Sequence, residues 1–249
     1  METFDQAPGT AMLDIQAEIA AEMARLKKTV AAPSGNKIST AGKQFKLPDG
    51  VKDPGPMTVV IIDYVTANSF YVGKFDRMNP KPPVCFAVGK EIEALAPVTA
   101  SPDKQSENCT SCPMNQWGAP GQAKECKNTR LLAIVPPGAE EGSPIMTLSV
   151  APKGLKGFDK YVADVGRQFG LPPTGVLTEI SFDETVDFEK LVFRAVGPNE
   201  NLKLHWGRKA EAMEMLLVEP DFTRGAQPAS PPRGVAARPA AIRANRGAA

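Results

Sequence analysis

Histidine is almost missing from this chain: of 249 residues only His205 carries an imidazole. That scarcity argues against multi-histidine metal sites and against chemistry built on paired imidazoles. There is no P-loop, no G-x-S-x-G, no H-E-x-x-H and no dinucleotide fingerprint, so no familiar catalytic motif is on offer. No apolar run approaches the roughly 20 residues needed to span a bilayer, and the N-terminal "METFDQAPGTAMLDIQ" has no apolar signal region. The expectation is a cytoplasmic, non-membrane protein. Cysteine is also sparse, four in all. In a reducing cytosol such a set makes a metal site or buried thiols more readily than disulfides.

Net charge is near zero at +1, but it is unevenly placed. The segment 223–249 holds five arginines, at 224, 233, 238, 243 and 246, and no acid. Rich in Pro, Ala and Gly, it reads as a disordered basic tail, either a solvated end or an electrostatic arm for phosphate. At the other end, Met12, Ile15, Ile19, Met23, Leu26 and Val30 recur at helical spacing. Residues 1–44 therefore read as an amphipathic helix and linker, the helix docking on its own domain or on a partner.

The body, 45–222, holds β-rich runs at 57–65, 69–75, 83–89, 130–136, 145–150, 176–182 and 190–196. The first two are separated by Thr66, Ala67 and Asn68, which suggests a hairpin turn. "LKGFDKYVADVGRQFG" puts Leu155, Phe158, Tyr161, Val162, Val165 and Phe169 on one face and stops at Gly170, a helix with its C-cap. A last helix is expected over 207–217. Strands around one central helix, without regular βαβ alternation, predict a mainly β or α+β domain. Their order suits an OB-like barrel of five to six strands with one inserted helix and a loop insertion over 85–130.

That insertion contains all the cysteines. Cys109 and Cys112 form a C-x-x-C knuckle, Cys126 follows thirteen residues on, and Cys85 stands at a strand just before the excursion. Since the chain re-enters a strand near Arg130, all four sulfurs are placed to meet at the neck of one loop. A tetrahedral Cys₄ site for structural Zn²⁺ fits that pattern. The loop itself has little to build a core from, so a metal would be its organiser. An iron–sulfur cluster and unligated thiols are the alternatives.

A binding role has more support than catalysis. Tyr64, Tyr71, Lys74, Phe75 and Arg77 interleave aromatic and basic groups, and the cysteine loop adds Trp117, Lys124, Lys127 and Arg130. Aromatic faces stack on bases while cations follow phosphates, the chemistry of single-stranded nucleic-acid binding. Strand alternation sends about half of such rings into a core instead. His205, beside Trp206, reads as a satisfied core or surface residue. The acids Glu179, Asp183, Glu184, Asp187 and Glu189 suggest either the polar face and turn of a hairpin or, less well, a Mg²⁺-dependent nuclease.

"PVCFAVG", "SPDKQSENCTSCPMNQWG" and "KECKNTRLLAIV" together resemble a family of tailed-bacteriophage proteins sharing this cysteine framework, over roughly 36–200. More loosely, zinc in an OB-type domain is similar to the zinc-containing single-stranded-DNA-binding proteins of T-even phages. The resemblance implies single-stranded DNA as partner, in phage DNA replication or recombination. Those proteins use a histidine ligand and an acidic tail, whereas this chain has four cysteines and a basic tail. A second function class is a zinc-stabilised module that binds a host or phage protein through the N-terminal helix.

Overall fold

The computed structural model describes residues 18, 35–73, 81–118 and 123–223. The expected N-terminal helix, apart from residue 18, and the expected basic tail beyond residue 223 lie outside the described residues. In chain order the elements are β1 (Lys37–Ile38), β2 (Phe45–Lys46), β3 (Lys52–Asp53), β4 (Met57–Phe70), β5 (Cys85–Gly89), β6 (Lys127–Val135), β7 (Met146–Val150), α1 (Leu155–Phe169), β8 (Val176–Phe182), β9 (Leu191–Pro198), α2 (Leu202–Gly207) and α3 (Lys209–Leu216). The protein is mainly β, a curled half-barrel sheet with one principal helix.

The spine is β4, fourteen residues long. One edge pairs with β6 in antiparallel register from Val60↔Val135 to Ser69↔Lys127. Its other edge is shared: Met57–Val59 pair with β8, whereas Thr66–Phe70 pair with β5. A register shift between Ile61 and Asp63 marks a bulge, which adds twist and lets one strand serve both halves of the curl. The sheet order is β1-β7-β6-β4-β8-β9, with β5 attached to β4.

Two sequence expectations are corrected here. Thr66, Ala67 and Asn68 form no hairpin turn; they continue β4, buried and paired on both edges. Turn propensity is a local bias, and two partner strands override it. The stretch taken as a linker before residue 45 also joins the domain, because β1 runs parallel to β7 and Ile38 is fully buried. The expected last helix forms as α3, preceded by a short α2; the two meet at Arg208, whose guanidinium bonds the Ser143 carbonyl at 2.6 Å and Glu211 at 2.9 Å.

Helix α1 forms as its periodicity dictates and ends at Gly170, left-handed with φ 66°. It buries Phe158, Tyr161 and Val165 against one face of the sheet, among Ile61, Leu132, Ile134 and Ile180. Phe158 is the hub: Tyr64 meets it edge-on with centroids 5.1 Å apart, and Phe193 also lies at 5.1 Å. Burying such a ring stabilises the fold by about 1.5–3 kcal/mol. On the opposite face Val60, Ile62, Ala133 and Val135 pack under Ala212 and Leu216 of α3. The sheet is thus apolar on both sides, which explains why β4 reads as a continuous hydrophobic run.

Candidate functional site

Pairing of β5 with the far end of β4 sets Cys85 opposite Phe70. From there the chain leaves the sheet and is stitched back by backbone bonds: Val98 N–H to Phe86 O at 2.8 Å, Asp103 N–H to Val84 O at 2.9 Å and Cys109 N–H to Leu95 O at 2.8 Å. The Cys126 N–H reaches Met114 O at 2.8 Å just before β6 begins. Through these bonds all four cysteines are buried, at 7–8% exposure, and line one cavity with Asn68, Phe70, Met114 and Asn115. The cavity volume is about 10 Å³, room for one water-sized particle.

No pair of these cysteines is a disulfide. Burial first, then the charge of the neighbouring sulfurs, pushes the Cys126 thiol up to about 12. Cys109 is raised for the same reasons, partly offset by a hydrogen bond from Asn68. Among the described residues no group of three or more His, Cys, Asp or Glu is drawn together at ion-holding distances. Four neutral thiols have no charge-based reason to close on a common point; a divalent cation supplies one, since it binds thiolates and displaces their protons. The donor set of four sulfurs around one small cavity fits Zn²⁺ by ligand type and number.

Asparagines brace this pocket, and none of them was singled out as a site residue by sequence reasoning. Asn115 donates to the Cys109 carbonyl at 2.7 Å, and its Oδ1 accepts from Asn128 Nδ2 at 2.9 Å. Asn128 also donates to Asn68 Oδ1 at 2.6 Å, tying the loop to β4. The adjacent Gln116 donates to the Thr110 carbonyl at 2.7 Å and so closes the knuckle. Their only sequence signal is that Asn115 and Asn128 lie within a few residues of Cys112 and Cys126.

The residues expected to contact nucleic acid separate into three groups. Trp117 is 74% exposed with Lys124 Nζ 5.6 Å from its ring, and Tyr71, 37% exposed, has Lys127 Nζ at 5.0 Å. These pairs stand on the loop and on the strand ends next to the cysteines, and cation and ring are already associated. Tyr64 and Arg130 are corrected: Tyr64 packs on Phe158, and Arg130 is buried, with Nη2 3.1 Å from Asp159 Oδ1. Strand alternation turns both toward the core. Lys74, Phe75 and Arg77 lie outside the described residues.

Three of the acids on and after β8 are individually committed. Glu179 pairs with Arg194 at 2.8 Å, Asp183 with Lys190 at 2.7 Å, and Glu189 accepts the Gly42 N–H at 3.0 Å. That matches the hairpin reading. His205 is wholly buried, with Nδ1 against the Asn199 side chain at 3.0–3.1 Å. Its Nε2 makes no hydrogen bond of good geometry, although the Ala139 backbone lies close enough to act on the ring; desolvation dominates and holds the imidazole below its usual pKa. Among the described residues no helix is long and apolar enough to cross a membrane. Comparison with protein-family models, with curated proteins and with solved structures returns no match to this chain.

Proposed function

We propose that this protein is a non-catalytic single-stranded-DNA-binding protein whose nucleic-acid surface is shaped by a structural Zn²⁺ held by Cys85, Cys109, Cys112 and Cys126. The observation that carries the reading is the placement of two exposed ring–ammonium pairs, Trp117–Lys124 and Tyr71–Lys127, on the segment that the four-cysteine pocket gathers. The metal, when bound, supplies a crosslink between β5, the loop and the start of β6. Asn115 and Asn128 hold the loop against β4. Trp117 and Tyr71 offer faces to bases, and Lys124 and Lys127 neutralise phosphates.

Topology supports the same assignment. Taking β4, β6, β7, β8 and β9 as strands one to five, the pairing order is three-two-one-four-five, with α1 between the third and fourth. That order is compatible with a partly open OB barrel, a fold that binds oligonucleotides on strands two and three and on the loops joining strands one to two and four to five. Residues 71–126, with the cysteines, Trp117 and Lys124, occupy the first of those loops. The looser similarity to T-even phage single-stranded-DNA-binding proteins suggests a role in phage DNA replication or recombination.

Metal analysis of freshly purified protein should find about one zinc per chain. Titration of a fluorescent oligo-dT at low salt should give sub-micromolar binding that weakens as log[salt] rises. Metallated protein that leaves the oligonucleotide unshifted at low salt refutes the proposal.

A further inference from the structure

A second cavity, about 320 Å³, opens where the bulge of β4 meets the end of α1 and the turn that follows it. That is the lower end of the size range of small-molecule sites. Its walls are apolar, with Ile61, Ile62, Val162, Leu171, Pro172 and Pro173. Its polar groups converge on one point. Asp63, 5% exposed, is delivered there by the bulge, and its Oδ1 accepts the Tyr64 N–H at 2.9 Å. Its Oδ2 draws in Lys90 Nζ at 2.8 Å, from just beyond β5, and Lys209 Nζ at 3.5 Å, from the start of α3.

Two ammoniums share one carboxylate oxygen, so this corner carries a net positive charge. Each ammonium has three N–H donors, and the single carboxylate leaves most of them unused. Lys209 also lies 4.4 Å from the ring of Trp206, which is half exposed. Tyr64 lines the same space, and burial raises the pKa of its phenol. Donors without acceptors above an apolar floor are complementary to an acid group on an apolar body.

We propose that this cleft binds a small organic anion, its acid head on Lys90 and Lys209 and its apolar body against Leu171, Pro172 and Pro173. Asp63 is the positioning residue that holds the two lysines together. The cleft shares no residue with the cysteine pocket or with the Trp117 and Tyr71 surface, so the proposal is independent of DNA binding.

The test uses full-length Trp117→Phe protein, in which Trp206 is the only tryptophan. Its fluorescence is titrated with thymidine 5′-monophosphate, indole-free hexanoate and benzoate, and with neutral thymidine and inorganic phosphate as controls. At least one organic anion should give a saturable change while thymidine and phosphate do not. Lys209→Met and Lys90→Met, both on partly exposed side chains, should each weaken that ligand about tenfold, the loss of one charge-assisted hydrogen bond. Calorimetry on the same variants checks that the loss lies in binding and not in the optical signal. No saturable response to any of the three anions, equal binding of thymidine and its monophosphate, or lysine variants that bind as the parent does would each overturn the proposal. Oligo-dT binding by the chain with Trp117 intact is scored separately, so failure of one proposal leaves the other standing.

Discussion

Removal of the metal should invert the pH dependence of stability. In metal-free protein, burial together with neighbouring sulfur charge raises Cys126 from 9.0 to about 12. A folded-state pKa above the unfolded value stabilises the fold fully below the unfolded pKa, and that stability drains away as pH rises toward the folded one. At about 1.4 kcal/mol per pH unit the whole effect for Cys126 is on the order of 4 kcal/mol, complete only near pH 12. By about pH 10 the loss is on the order of 1 kcal/mol, or roughly 2–4 °C in melting temperature for a domain of this size. Zinc-loaded protein has thiolates in the folded state, so the thiol part of that alkaline slope should be absent. It should lose stability on acidification instead, as protons compete for sulfur.

The assay is calorimetric melting of chelator-treated and zinc-loaded protein from pH 5 to 10 in the presence of reductant. Tyr64 and Tyr161 also have raised pKa values from burial and add an alkaline slope of their own. Cys126→Ala isolates the cysteine contribution, since only the thiol part of the slope should disappear. Identical pH profiles with and without zinc, or a Cys126→Ala profile that parallels the metal-free parent, would refute both the shared cavity and its proposed ion.

Phe158→Ala removes the ring on which Tyr64 and Phe193 pack and should cost about 3–5 kcal/mol, seen as a lower denaturant midpoint with little change in oligonucleotide affinity once folded. His205 is held neutral by burial, so its folded pKa lies below the unfolded one; the stability it contributes is present above about pH 6.5 and lost as pH falls, and His205→Asn should flatten the melting profile between about pH 6.5 and 5. Trp117→Ala and Tyr71→Ala should each weaken oligo-dT by roughly 5- to 150-fold, one lost stacking platform each, while leaving the melting temperature unchanged. Arg130→Met, by contrast, should lower the melting temperature, because that cation is sequestered with Asp159 at the end of α1's first turns and is absent from the exposed surface.

Local pattern alone determined a good deal of this protein. Period 3.6 spelled α1 and Gly170 its stop; alternation and β-branched runs spelled β8, β9, β6 and β7; the C-x-x-C spacing kept Cys109 and Cys112 close. Those features involve neighbours within a few residues, where backbone propensity and side-chain period act directly. Only tertiary structure decided what β4 is. Thr66–Asn68 look like a turn until β5 and β6 occupy both edges, and Tyr64 and Arg130 look like binding groups until α1 covers their face. The gathering of Cys85 with the other three thiols, and of Lys90 and Lys209 on Asp63, is likewise non-local: each joins residues far apart in the chain through strand pairing and a bulge that no short window contains. Partner choice is a property of the whole packed sheet, because a strand's free edges and faces are satisfied by whichever distant segment buries them best.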